Sequence, residues 1–353
     1  MRAVLIQNEA GPVENLYIGE VETPVPRANE VLIKAFGLNR MDISQRNGHY
    51  PPPAGSSTVL GVEFAGHIAA VGSDVSRWKI DDEVMGLAGG GAYAEYIVVL
   101  QTHVVQKPSR LSWAEAASIP ECFLTAFQAM VVYGEVKPND DVLVHAGASG
   151  VGVAAIQLAR YNGAKTVIAT ASTQDKLDWL LSLPNGATNA ANYKTQDFSQ
   201  VTKEITQGRG VDIVIDFVLS FLFQFVLMLF QNFLLQYSGQ SHFEKNLASL
   251  AVDGRMTMLA LLSGPTIASV SLAPILYKRL RIQGSTLRSR TPQYQADLIA
   301  RFDKEVLQHI TGKNGDGPIK TYIHKVYSWN DIQDAHREME SNGNSGKIIA
   351  EVY

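Results

Sequence analysis

Gly147, Ser149, Gly150, Val151 and Gly152 lie between a β-branched run at 142–145 and a stretch, from Val151 onward, in which small and apolar residues recur at helical spacing. A glycine-rich turn from a buried strand into a helix can aim main-chain N–H groups and the positive helix terminus at a pyrophosphate. Without a Cβ at 147 and 150 the backbone is expected to turn tightly there. On the G-x-G-x-x-G pattern Gly147 and Gly152 fill the outer positions and Ser149 stands at the middle one, so an ordinary strand–turn–helix connection stays open as the alternative. The next strand-like run, 166–170, ends about 20 residues past the glycines, where a dinucleotide-binding unit presents its ribose-selecting residue. No Asp or Glu stands at that end. The stretch 171–176, with Thr173 and Lys176, supplies hydroxyls and an ammonium instead, which suit a 2′-phosphate better than a bare 2′-hydroxyl and point to NADPH. Lys176 equally suits a solvated lysine in a first helical turn.

The elements that must position these residues follow a two-part pattern. A chain of 353 residues, 46% hydrophobic and 18% charged, describes a soluble globular protein with room for two cores. A net charge of −4 gives no general attraction to nucleic acid or to an anionic membrane. The single cysteine, Cys122, forbids an intrachain disulfide and any multi-cysteine metal site, and reads as a buried small hydrophobe in a reducing compartment. Residues 1–8 read as a first strand without the apolar stretch of a signal peptide, which makes the cytoplasm the default location. Residues 1–118 set Gly and Pro between strand-like runs at 31–35, 63–71 and 94–99, with a short helix inside 38–51, which describes a mostly β domain. From 119 to 285 strands at 142–145, 166–170, near 191–193, 211–218 and 256–262 alternate with helices, the βαβ rhythm of a parallel doubly wound sheet. Helices at 293–311 and 329–342 and a last strand at 347–353 belong with the first domain, because the alternating unit is complete without them.

Seven stretches, taken in order, resemble one family over nearly the whole chain. They are Asn39-Arg40-Met41-Asp42 with Tyr50; Gly61-Val62-Glu63; Ile119-Pro120-Glu121 with Leu124-Thr125-Ala126; His145-Ala146-Gly147 with Ser149-Gly150-Val151-Gly152; Asn192-Tyr193-Lys194; Leu287-Arg288-Ser289-Arg290; and Gly346-Lys347-Ile348. The family is the medium-chain dehydrogenases/reductases, in the zinc-free NADPH:quinone oxidoreductase branch of the zeta-crystallin relatives, nearest its tumour-suppressor-inducible members. The resemblance implies an α/β fold, with a Rossmann doubly wound parallel sheet at 119–285 and a mostly β GroES-like substrate domain from 1–118 and 286–353. It assigns Thr173 and Lys176 to the 2′-phosphate of NADPH, Tyr193 to the adenosine side, and Ser149, Gly150 and Val151 to the pyrophosphate, with Gly147 and Gly152 shaping the turn. Leu261, Leu262 and Lys347 fall to the nicotinamide half, Thr125 is a further cofactor residue, and relatives imply a homodimer.

Zinc-dependent members hold their metal with a Cys, a His in a Gly-His-Glu motif and a further Cys or Asp. Here Val62 replaces that His and Asn39 stands near the first Cys position, so no metal is expected. Glu63 then reads as a carboxylate hydrogen-bonded within its own domain. A quinone or comparable conjugated electrophile can accept hydride without a Lewis acid, provided the nicotinamide is held against it away from water. Asn39 and Tyr50 are the candidate amide and hydroxyl donors for that substrate, against the plain reading of a helix-flanking Asn and a loop Tyr at a Pro turn. Asp81 replaces a glycine of the relatives and predicts a mildly strained turn.

The stretch 219–238 has no counterpart in the family. It is uncharged and long enough for a transmembrane helix, yet one crossing would put the two halves of a single sheet on opposite sides of a membrane. A helix on the protein or on a membrane surface, or the product of a retained intron, accounts for it. Because the stretch enters at the carboxyl end of a sheet strand, where such folds place ligands, a catalytically weak cofactor-binding or interaction protein is the second functional class. An enoyl-type reductase is the alternative within the first.

Overall fold

The computed structural model describes residues 1–33, 36–217, 242–261, 267, 269–312 and 316–352, so the stretch 219–238 and Leu262 lie outside the described residues. The chain forms two compact units, one of residues 1–125, 149–154 and 286–353 and the other of 126–148 and 155–285.

In the second unit the apolar runs pair as six parallel strands in the order Asn189–Asn192, Thr166–Ala171, Asp141–Val144, Val211–Asp216, Leu250–Met258, Arg281–Gly284. Asp141–Val144 is buried along its whole length, as a parallel strand covered on both faces must be. Leu143, Ile168, Val211, Val214, Leu247 and Met256 share one core on that sheet. From Asp141–Val144 the chain winds outward first through Thr166–Ala171 and then, on the other side, through Val211–Asp216. This is the Rossmann order, and its topological switch point is at the carboxyl end of Asp141–Val144. The expected strand at 256–262 instead begins at Leu250 and ends at Met258. Asp253-Gly254 forms an irregularity inside the strand: Asp253 has φ 62° and the pairing with Val211–Asp216 shifts between Val211 and Ile213.

The first unit is mostly β. A five-stranded antiparallel sheet runs Ile97–Leu100, Glu30–Ile33, Glu63–Val71, Glu83–Leu87, Val104–Gln106. The C-terminal strand Lys347–Glu351 lies between Ile323–Ser328 and Phe36–Gly37, which delivers Lys347 to the Glu63 end of the domain. Trp329, Phe64, Tyr93 and Leu16 fill its core. Asp81 has φ 70°, the left-handed turn expected where relatives carry glycine. The expected boundary at 118/119 moves to Thr125. Two contacts bind the helix Pro120–Phe127 to this unit: Glu121 donates its N–H to Glu63 Oε2 at 2.8 Å, and the Phe123 and Phe302 rings lie 6.5 Å apart. Among the described residues no helix is long and apolar enough to cross a membrane.

Candidate active site

At the switch point the left-handed residue of the turn is Ala146, with φ 45°, and neither Gly147 nor Gly150 has a positive φ. The two glycines are therefore required for close packing, which corrects the expectation that they make the turn. A Cβ on Gly147 would lie 2.9 Å from Ala169 Cβ, and one on Gly150 would lie 2.7 Å from Cys122 Sγ. The Gly147 N–H is bonded to Thr170 O at 2.9 Å, so this donor is committed to the sheet and not to a phosphate. Ser149 caps the helix Gly150–Tyr161, its Oγ accepting the Gly152 N–H at 3.0 Å. That leaves the N–H groups of Gly150 and Val151 as first-turn donors with no intrahelical acceptor, the arrangement that suits an anion. Gly150→Ala should destabilise by about 1–3 kcal/mol through overpacking. Guanidinium unfolding of Gly150→Ala and of Gly150→Ala/Cys122→Ala checks this, the second change relieving most of the loss if the sulfur is the obstacle.

Thr173 and Tyr193 follow neighbouring parallel strands in which Ala171 pairs with Asn192, and the Tyr193 N–H bonds Ala171 O at 3.2 Å. The packing of that sheet thus sets Thr173, Lys176 and Tyr193 at adjacent carboxyl ends. Thr173 caps the helix Gln174–Ser182, its Oγ1 accepting the Lys176 N–H at 3.5 Å. Thr173 and Tyr193 are exposed and Lys176 is half-buried. A positive helix end, a hydroxyl and an ammonium can hold a dianion, although Asp175 in the same turn opposes it. Leu261 is exposed; Leu262, assigned with it to the nicotinamide half, is outside the described residues.

In the first unit Lys347 is buried. Its ammonium contacts Glu63 Oε1 and Leu38 O and donates to Asn39 Oδ1 at 2.7 Å, three acceptors for its three N–H donors. No donor remains for a nicotinamide, so the contact expected there could be made only through the aliphatic stem. Burial alone would lower the lysine pKa; the Cys122 sulfur and the Glu63 and Asp42 carboxylates reverse that and hold it above its ordinary value. Glu63, fully buried, also accepts from Asn39 Nδ2 at 2.7 Å, consistent with its reading as a carboxylate bonded within its own domain. The Asn39 amide is oriented by its partners, Oδ1 to the ammonium and Nδ2 to the carboxylate, and its second Nδ2 hydrogen has no acceptor among the described residues.

Three residues of this neighbourhood give no local signal in sequence. Asp42, fully buried, accepts from Asn39 N–H at 2.7 Å and Tyr93 Oη at 3.0 Å, and burial pushes its carboxyl up to about 6. Glu121 is pushed up to about 7, first by burial and then by Glu63; Thr125 donates to its Oε1 at 3.2 Å. That bond occupies the Thr125 hydroxyl hydrogen. Arg288 places its guanidinium 5.6 Å from the centre of the half-buried Tyr50 ring. A glutamate after Pro at a helix start reads as a solvated first-turn charge, and only the tertiary packing buries it.

His145, Asp216 and His242 place ligand-type atoms within 4.8 Å of one another. Both ring nitrogens of His145 are already bonded, to Thr170 Oγ1 at 2.9 Å and Asn246 Oδ1 at 2.8 Å, and Asn246 Nδ2 donates to Asp216 at 2.8 Å. His145 and Asp216 thus belong to a hydrogen-bonded network of the second unit, while the buried His242 Nδ1 has no hydrogen-bond partner among the described residues.

Burial lowers His145 to about 4, and burial together with Arg46 lowers His336 to about 3. Both imidazoles stay neutral in the native state while the unfolded chain takes up protons below about 6.5, so this stability is present above that pH and is lost as pH falls towards 4. His336 accepts from Arg46 Nη1 at 3.1 Å and meets Tyr93 Oη at 3.3 Å. His336→Asn should therefore flatten the slope of Tm between pH 6.5 and 4.5, removing about 1–3 kcal/mol of pH-dependent stability. An unchanged slope would mean that the native imidazole is already protonated in that range.

Comparison with known proteins accords with this architecture. The family model for the alcohol dehydrogenase GroES-like domain matches residues 27–109, and that for the zinc-binding dehydrogenase matches 150–231. The crystal structure of Escherichia coli quinone oxidoreductase complexed with NADPH is 28% identical with a TM-score of 0.82, covering 99% of this chain and 100% of that one. JamJ enoyl reductase in its apo form has 26% identity and a TM-score of 0.82 over the full length of both chains. The synaptic vesicle membrane protein VAT-1 homolog of Danio rerio is 28% identical over 337 residues, and those residues span 92% of this chain and 65% of that protein. An NAD-dependent alcohol dehydrogenase of known structure is 30% identical, with a TM-score of 0.80 over 100% of both chains. With a GroES-like domain and a Rossmann sheet in one chain, each matched by its family model, the chain belongs to the medium-chain dehydrogenase/reductase family of oxidoreductases.

Proposed function

We propose that the chain is an NADPH-dependent oxidoreductase that passes hydride to a quinone or similar conjugated electrophile without zinc. The observation that carries this reading is the buried Lys347–Glu63–Asn39 cluster. Of the positions that would hold catalytic zinc in relatives, Asn39 offers an amide and Val62 an aliphatic side chain, and the neighbouring Glu63 carboxylate is already paired with an ammonium, whereas zinc favours thiolate and imidazole. Those residues do not fit the metal, and the reaction is read without it. The chain also has groups that suit NADPH: Thr173, Lys176 and the cap of Gln174–Ser182 offer a hydroxyl, a charge and a helix terminus to a 2′-phosphate, while Gly150 and Val151 offer N–H donors to a pyrophosphate.

When bound, NADPH supplies the hydride. The chain supplies orientation: the remaining Asn39 Nδ2 hydrogen and the Tyr50 hydroxyl, which has no hydrogen bond among the described residues, are free to donate to the acceptor. NADPH oxidation measured against a panel of ortho-quinones tests this. The expected result is quinone-dependent consumption of NADPH, unchanged by a chelator, in protein without stoichiometric zinc; activity restored specifically by zinc would sink the reading. The likeness to JamJ enoyl reductase supports one rival, an enoyl-type reductase. It would be preferred if an enoyl thioester, and no quinone, supports turnover.

A further inference from the structure

Among the buried side-chain atoms of the first unit that have no hydrogen-bond partner in the described residues are one of Glu121 and one of Arg288. Glu121 is 4% exposed, and while its Oε1 accepts from Thr125, its Oε2 is unbonded. Arg288 is also 4% exposed; its Nε donates to Gly89 O at 2.7 Å and its Nη2 to Gln45 Oε1 at 2.8 Å, yet Nη1 is unbonded. Because a guanidinium is planar, two anchored nitrogens fix where the third points. Both side chains act electrostatically on Tyr50, and Arg288 lies 5.6 Å from the centre of its ring. Native proteins rarely leave buried donors unused, since each costs free energy.

We propose that Arg288 Nη1 and the protonated Glu121 Oε2 are paired donors that bind the carbonyl oxygen of the electron acceptor beside Tyr50. This deepens the reading of the protein as a reductase of conjugated carbonyl compounds and rests on it. Two fixed donors at one oxygen draw electron density from the conjugated system and so favour hydride addition, the task a metal performs in zinc-dependent relatives. They select acceptors that present an oxygen, namely quinones and enones, over alkenes without one.

Glu121 donates only while protonated. Burial and Glu63 keep its proton on up to about pH 7, with Lys347 opposing and Asp42 assisting; Arg288 and Tyr50 also act on this neighbourhood. Affinity for the acceptor should therefore fall as pH rises through 7.

The test is binding of 9,10-phenanthrenequinone to the full chain, followed by tryptophan quenching between pH 6 and 8.5, with NADPH affinity measured in parallel as a check on folding. In the unsubstituted protein the quinone Kd should rise about tenfold across that range, as expected for loss of one buried hydrogen bond. Glu121→Gln, which keeps a donor that does not titrate, should bind with a pH-independent Kd within about threefold of the low-pH value. Glu121→Met should bind about tenfold more weakly at low pH, with NADPH affinity unchanged in both variants. If Glu121→Met does not fold, the flat profile of Glu121→Gln decides the matter alone. Quinone turnover with a Kd that neither pH nor Glu121 substitution alters would overturn the donor pair and leave the reductase reading standing. Absence of both binding and turnover with quinones and enones would overturn the two together.

Discussion

Lys347→Met should cost the protein about 3–5 kcal/mol, because it leaves the Glu63 carboxylate fully buried without its counter-charge. The same change strips Leu38 O and Asn39 Oδ1 of a donor, while Met replaces the aliphatic stem at similar volume. The loss is therefore electrostatic in origin rather than a cavity. At about 2–4 °C per kcal/mol for domains of this size, Tm should fall by roughly 10 °C. Glu63→Gln/Lys347→Met removes both charges and should recover much of the loss, since a buried pair contributes far less than the penalty for breaking it. Chemical denaturation of the two variants and of Glu63→Gln completes the cycle. A Lys347→Met protein within about 1 kcal/mol of the parent would show that the ammonium is not the counter-charge of Glu63.

Lys176→Glu should weaken NADPH binding about ten- to a hundredfold and leave NADH binding nearly unchanged. A charge-assisted contact to the 2′-phosphate is worth roughly 1.5–3 kcal/mol, and the substitution adds a negative charge to a turn that already holds Asp175. Dissociation constants for both cofactors, from nicotinamide fluorescence or calorimetry at fixed ionic strength, separate the outcomes. Equal losses for NADPH and NADH would remove Lys176 from the phosphate site.

The two predictions differ in how far the sequence led to them. Thr173 and Lys176 were legible because they follow an apolar run at a fixed distance from the glycine turn, and a parallel sheet delivers the end of every strand to the same edge. The turn itself was legible as a strand-to-helix connection, yet the reason for its glycines was not. Spacing suggested conformational freedom, whereas the observed need is room for Ala169 beside Gly147 and for Cys122 Sγ beside Gly150. Which atom meets an absent Cβ depends on residues far away in sequence.

Periodicity by itself determined the parallel alternation of the second unit and the mostly β character of the first, because burial of one face or both imposes a repeat on the chain; the return of the C-terminal strand to the first followed from the second being complete without it. Strand limits escaped it where Asp253-Gly254 forms an irregularity within Leu250–Met258. The electrostatics were decided by tertiary structure alone. Glu121, Asp42 and Arg288 are charged residues that a sequence reads as solvated, and Lys347 reaches Glu63 only when the strand Lys347–Glu351 is placed between Ile323–Ser328 and Phe36–Gly37. Sequence names the charges, but the free energy of a charge is set by its depth and its neighbours, and both are properties of the packed domain.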